Sequence, residues 1–203
     1  MPVPKRSEVV GLRSVLEIPV LVMVVVLLAL GMRTFLGQAF VIPSGSMIPT
    51  LQVGDRVLVS RPSYAMHEPR RGDVLVFESP EDLPPDTSWL PGRVLRRALE
   101  AVGLSQPRET DFIKRVIGLP GEVVEGRDGL VYINGQRLVE PYLPPGVVTS
   151  TFGPEVVPDD HLFVMGDNRG NSNDSRVIGP IPDDVVVGRA VARIWPPGRW
   201  GFL

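Results

Sequence analysis

Fifteen consecutive uncharged residues, "IPVLVMVVVLLALGM" between Glu17 and Arg33, constrain this chain of 203 residues more than any other stretch. A run rich in Val and Leu with no polar face has to be wrapped on every side, by protein or by lipid. At 1.5 Å per residue it covers only about 22 Å of a hydrocarbon layer roughly 30 Å thick. Val15 and Leu16 at one end and Thr34, Phe35 and Leu36 at the other lengthen it to about 22 residues, enough to span, with the Arg33 charge snorkelling to the interface. The expectation is a cytoplasmic segment over 1–14 and one transmembrane helix over 15–36. Lys5, Arg6 and Arg13 before the run, against Arg33 after it, put the N-terminus in the cytoplasm. Two readings compete: a helix buried in a soluble domain, and a cleavable signal peptide with "ALG" at 29–31 as its small-residue cleavage site. Under either membrane reading, residues 37–203 lie outside the cytoplasm.

The formal charge of -2 is uneven, with Lys5, Arg6, Arg13 and Arg33 set against Glu8 and Glu17 in the first 33 residues and a net acidic remainder. Nucleic acid is therefore no expected partner, since that function shows as a strongly basic domain. There is no cysteine, which excludes disulfides, thiolate metal sites and cysteine nucleophiles. Only two histidines exist, His67 and His161, too far apart for a helical metal-binding pair. The 21 glycines and 22 prolines fall short of a disordered composition and suit the turns of a β-rich fold.

Strand-like runs follow the apolar segment: 39–42, "RVLVS" at 56–60, "DVLVF" at 73–77, "FIKRVIG" at 112–118, "EVVEG" at 122–126, "LVYIN" at 130–134, "HLFVMG" at 161–166 and "DVVVGRAVARIW" at 184–195. "RDG" at 127–129 and "NG" at 134–135 are hairpin turns. A mainly β, antiparallel domain over 37–203 is expected. Residues 78–110 break the pattern, begin with Pro and acidic residues, and hold one short helical pattern over 93–102; they read as an insertion.

Serine chemistry needs a nucleophile, a base and an oxyanion site. In "FVIPSGSMIPTL", Ser46 follows Gly45 and lies between the stiff Pro43 and Pro49, although a plain Ser-Gly turn leaving a strand has the same composition. A base built on His161 opens a strand after two acids, where a histidine is ordinarily surface. Lys114 in "DFIKRVIGLPGE" is the stronger base, because strand alternation puts it on one face with Phe112 and Val116, and Ile113, Arg115 and Ile117 on the other. An ordinary lysine, pKa about 10.4, is neutral about once in a thousand at pH 7.4, a cost of about 4 kcal/mol. Apolar surroundings remove most of that cost, while a snorkelling structural lysine is the competing reading. The polar run "MGDNRGNSNDSR" at 165–176 carries calcium-type donors in Asp167, Asn171 and Asn173. It lacks the closing Glu of the EF-hand and includes Arg169 and Arg176, so it reads as a hydrogen-bonded brace, with Asp174 and Arg176 paired, and no metal is expected.

Four motifs in one order, after the apolar segment, resemble the bacterial type I signal peptidases, or leader peptidases: "PSGSMIPTL" at 43–51, "RRGDVLVF" at 70–77, "DFIKRVIGLPGE" at 111–122 and "GDNRGNSNDSR" at 166–176. The resemblance implies a β-rich catalytic domain on the outer face of the cell membrane, held by a single-pass anchor. It implies Ser46 as nucleophile and Lys114 as general base, with Ser44 and the Ser46 N–H as oxyanion donors. Ser172 would orient the lysine, and Asp174 and Arg176 would brace the site. Phe40, Ile42, Pro43, Met47, Leu51, Phe112 and Ile113 would lie near shallow pockets for small side chains. The implied partners are preprotein signal peptides and the lipid bilayer, the implied state a monomer, and no cofactor is implied. One departure is Gly170, where many members carry an acid after "GDNR". A related Ser-Lys protease with one dedicated substrate, or an exported β domain without activity, are the alternatives.

Overall fold

The computed structural model describes residues 17–25, 38–60, 68–78 and 112–203. His67 and nearly all of the 78–110 insertion lie outside the described residues, as does segment 1–14. Of the expected anchor, residues 17–25 are helical, with apolar side chains such as Ile18 and Leu21 exposed. No helix among the described residues is long and apolar enough to cross a membrane.

The described residues fold into two antiparallel sheets. The strands are β1 (Gln38–Val41), β2 (Arg56–Ser60), β3 (Val74–Phe77), β4 (Phe112–Gly118), β5 (Val123–Arg127), β6 (Leu130–Ile133), β7 (Gln136–Arg137), β8 (Phe152–Val156), β9 (His161–Met165), β10 (Ile181–Pro182), β11 (Val186–Trp195) and β12 (Gly201–Phe202). The larger sheet runs β1-β2-β11-β3-β4-β9-β10, with β12 on β11, and the smaller runs β7-β6-β5-β8. Both hairpin signals act as expected. Asp128 and Gly129 join β5 to β6, Asn134 and Gly135 join β6 to β7, and all four have positive φ, the pairing that a tight hairpin's twist selects.

Alternation is clean in β2, where Val57 and Val59 are fully buried. In β4 both faces are covered, and every residue from Ile113 to Gly118 is buried. The reason is its position: Ile113 packs with Phe40, Met47 and Val76, Val116 packs with Leu75 and Phe77, and Ile117 packs with Val124 and Phe163. The last group includes Val131 and Ile133 of the smaller sheet, so β4 is where the two sheets share a core. A charged side chain on such a strand has to find its partners inside the protein. β8 is absent from the sequence expectation because Gly153 and Pro154 at its centre read as strand breakers.

Candidate active site

Pro43 ends β1, and the backbone passes through an extended Ser44 into a 3-10 turn over Gly45–Met47. The turn is closed by Ile48 N–H donating to Gly45 O at 3.2 Å and Leu51 N–H to Met47 O at 2.9 Å. Met47 and Leu51 sink completely into the core and fix the turn from below. Ser46, 8 % exposed, is thereby held with its hydroxyl toward β4.

Lys114, from β4, is 2 % exposed. Its Nζ lies 3.0 Å from Ser46 Oγ and 2.9 Å from Ile113 O, and 5.3 Å above the Phe112 ring. Burial lowers its pKa from 10.5 to about 8, against the opposing pull of the Asp174 carboxylate. An ammonium donates to both oxygens. Once neutral, the amine keeps an N–H for Ile113 O and offers its lone pair to the Ser46 hydroxyl, reversing that hydrogen bond. The structure thus brings together the two residues that chemistry requires, without a histidine. His161 begins β9 and its Nδ1 pairs with Asp159 O at 2.8 Å.

Ser44 Oγ lies 3.4 Å from Ser46 Oγ, on the same turn. Asp174 caps the short helix Ser175–Ile178 by accepting from Arg176 N–H. Arg176 also grips the carboxylate through Nε and Nη2, each at 2.8 Å, and Gly166 N–H donates to Asp174 Oδ2 at 2.9 Å. Burial alone would raise the Asp174 pKa, but the hydrogen bonds from Arg176 and Gly166, with the Arg176 charge and the adjacent Ser172 hydroxyl, hold it below the ordinary value. Ser172 Oγ is itself buried and completes no hydrogen bond of good geometry. Gly170, the departure noted above, is exposed with open space around it, and the Asp174–Arg176 pair is intact.

Among the expected substrate-side residues, Phe40, Ile42, Met47, Leu51 and Ile113 belong to one buried cluster directly around the serine turn. Phe112 is half-buried and stacks on Phe77 at 5.8 Å, and Pro43 is exposed.

Several site-forming residues escaped the sequence reasoning. Arg115, next to Lys114, is equally buried and grips Asp167 with Nε at 2.8 Å and Nη2 at 2.7 Å. Thr50 of the serine turn's own segment donates to Asp167 Oδ2 at 2.5 Å. Asp167 thus spends its oxygens joining the segment that carries the serine to the strand that carries the lysine. Asn168 adds two further ties, its N–H to Ser46 O at 2.9 Å and its Nδ2 to Gly45 O at 3.1 Å. The available signal was Arg115 itself: a second cation in a fully apolar strand demands an internal carboxylate.

A family model described as "Signal peptidase, peptidase S26" matches residues 15–195. Signal peptidase I of Leptolyngbya laminosa is 46% identical over 180 residues, covering 88% of this chain and 78% of that protein. Probable signal peptidase I-2 of Synechocystis sp. is 40% identical over 201 residues, covering 98% and 82%. A solved signal peptidase I from Enterococcus faecalis V583 is 30% identical, covers 62% of this chain and 98% of its own, and has a TM-score of 0.44.

Proposed function

This chain belongs to the signal peptidase family, peptidase S26, and from that premise we propose that it is a membrane-bound serine endopeptidase that removes N-terminal signal peptides from exported preproteins. The observation that carries the reading is the buried Lys114 amine, its pKa near 8, at 3.0 Å from the Ser46 hydroxyl.

With that pKa, roughly one lysine in ten is neutral at pH 7, against fewer than one in a thousand for an ordinary lysine. The neutral amine takes the Ser46 proton as Oγ attacks the carbonyl carbon before the scissile bond. The developing oxyanion is met by the Ser44 hydroxyl and the Ser46 N–H. The resulting Lys114 ammonium gives its proton to the leaving amine, which departs with the mature protein, and the signal peptide stays on Ser46 as an ester. Water, deprotonated by Lys114, then attacks that ester and frees the serine. Ser172, whose buried hydroxyl makes no hydrogen bond to Lys114 at rest, would orient the amine only by turning toward it, while Asp174 and Arg176 brace the site.

Cleavage follows small side chains, Ala-X-Ala in type. Phe40, Ile42 and Ile113 form the floor of the substrate groove, with Pro43 and Phe112 at its margins. Met47 and Leu51 support that floor from beneath. These side chains pack as one buried cluster, and in this reading the substrate lies over it as an added strand, with room only for small side chains. The segment at 15–36 anchors the catalytic domain at the outer face of the cell membrane. Tethering there raises its effective concentration toward substrates whose apolar segments share the bilayer. The protein acts as a monomer without a cofactor.

The test is cleavage of an Ala-X-Ala preprotein in detergent micelles, read by mass spectrometry of the new N-terminus. Wild type yields the mature start and Ser46→Ala yields none; cleavage by Ser46→Ala would refute the assignment. The pH profile supplies an independent check. kcat/KM should climb about tenfold per unit toward a midpoint near 8, the Lys114 value; a midpoint near 6.5 would point to a histidine instead. Ser44→Ala should lower kcat by about 100- to 1000-fold with the fold unchanged, as for removal of one oxyanion donor. An unaltered rate takes Ser44 out of that role.

A further inference from the structure

Residues 138–151, which connect β7 to β8, belong to no sheet, yet they contribute three side chains, Glu140, Tyr142 and Thr149, to the polar network behind the serine turn. Arg169, its side chain 1 % exposed, is gripped by Glu140, 11 % exposed, through both carboxylate oxygens. Tyr142 OH donates to the same carboxylate at 2.7 Å. Arg169 Nη1 also donates to Thr149 Oγ1 at 3.0 Å, and Thr149 is tied through its own N–H to Gly129 O in the β5–β6 turn at 2.9 Å. On its other side Arg169 holds the loop that serves Ser46, with Nε donating to Gly166 O at 3.2 Å and its carbonyl accepting from Arg176 at 2.8 Å. The neighbouring Asn168 is the residue that bonds Ser46 O and Gly45 O. Tyr142, meanwhile, lies face-on to the Arg115 guanidinium at 3.9 Å, behind the Arg115–Asp167 pair.

We propose that Glu140, acting through Arg169, is a positioning residue that holds Asn168 against the backbone of the Ser46 turn, so that the β7–β8 connection sets the aim of the nucleophile. The role in turnover rests on the reading of Ser46 as nucleophile. The physical case is one of satisfaction: among the described residues, the two Glu140 oxygens, the Thr149 hydroxyl and the Gly166 carbonyl answer the N–H groups of the buried guanidinium. Break that set and Arg169 must move toward water, taking Gly166 and Asn168 with it. A displacement of even 1 Å at the attacking oxygen is enough to spoil attack geometry.

Glu140→Gln tests this, because the amide NH2 that replaces one oxygen presents a donor to the donors of Arg169. We expect kcat for the Ala-X-Ala preprotein to fall about 10- to 100-fold with KM unchanged and with the pH midpoint still near the Lys114 value. Hydrogen exchange at the Asn168 amide should quicken about tenfold or more, with Asn134 N–H, in the β6–β7 turn, unaffected, since losing one hydrogen bond to a charged group costs enough for that change. Glu140→Asp, which keeps the charge, should recover part of the rate. A Glu140→Gln protein with kcat and Asn168 exchange within about twofold of wild type would overturn the proposal, as would a loss carried wholly by KM. If Glu140→Gln does not fold, Tyr142→Phe, which deletes only the hydroxyl bond to Glu140, decides by the same two readings. Should wild type cleave no preprotein, the functional reading fails, while exchange at Asn168 still decides whether Glu140 holds the Ser46 turn.

Discussion

Lys114→Met abolishes turnover and makes the protein more stable at neutral pH. The first half follows from the proposed chemistry, since methionine offers no lone pair of comparable basicity to the Ser46 hydroxyl 3.0 Å away. The second half follows from burial. The folded state lowers the amine's pKa from 10.5 to about 8, so between those values the unfolded chain binds more protons than the folded one, and stability rises with pH across that window. Below about 8 the full penalty of holding the lysine inside is felt, on the order of 3 kcal/mol. Methionine fills a similar volume without it but forfeits the bond to Ile113 O. The net gain at pH 7 should be about 1 to 3 kcal/mol, a rise of several degrees in Tm, and it should shrink between pH 8 and 10.5. Calorimetry across that range, beside the cleavage assay, checks both halves. Residual turnover above that of Ser46→Ala, or a stability change indifferent to pH, would count against Lys114 as a buried base.

Gly166→Ala is the smallest substitution expected to disable the site without touching a reacting group. A Cβ there would stand 2.2 Å from Ser172 Oγ and 2.5 Å from Ser46 O. Turning the Ser172 hydroxyl gives no relief, because Ser172 Cβ also stands at 2.6 Å, and the Ser46 carbonyl is backbone that moves only with its turn. Gly166 N–H is also pinned to Asp174, so the loop has little freedom to retreat. Overpacking of this kind costs about 1 to 3 kcal/mol of stability, and displacement of the serine turn should lower kcat by about 100-fold or more. The variant should fold, melt a few degrees lower, and cleave poorly at every pH. Wild-type kcat in a folded Gly166→Ala protein would mean that the turn and loop are looser than this packing implies.

What could be read from the sequence divides along the range of the interactions. Strand runs such as 56–60 and 112–118, and the turns at Asp128–Gly129 and Asn134–Gly135, rest on local alternation and local φ, and the fold has them where they were expected. Ser46 and Lys114 carried local signals as well: small residues between prolines, and a cation inside an apolar strand. The Asp174–Arg176 pair was legible as a polar brace. The ties of Thr50 and Arg115 to Asp167, and of Glu140 to Arg169, were not, because a charge reveals its partner only when the topology closes. Asp167 shows the difficulty well: by composition it suited a cation, and in the fold its cation is Arg115. β8 was hidden by Gly153 and Pro154, an edge-strand composition that local rules read as a stop.

Ser46 and Lys114 are 68 positions apart, and the Thr50–Asp167 bond spans 117. Ribosomal synthesis therefore completes the segment of the proposed nucleophile long before the loop bonded to it exists. In the unfinished chain Lys114 is solvated, retains an ordinary pKa and stays protonated, so it cannot activate any serine. Competence arises only when β4 is enclosed by β3 and β9, which is among the slowest kinds of pairing because its contacts are distant in sequence. On the proposed mechanism the order of assembly itself delays activity, because until the last long-range contacts close there is no base.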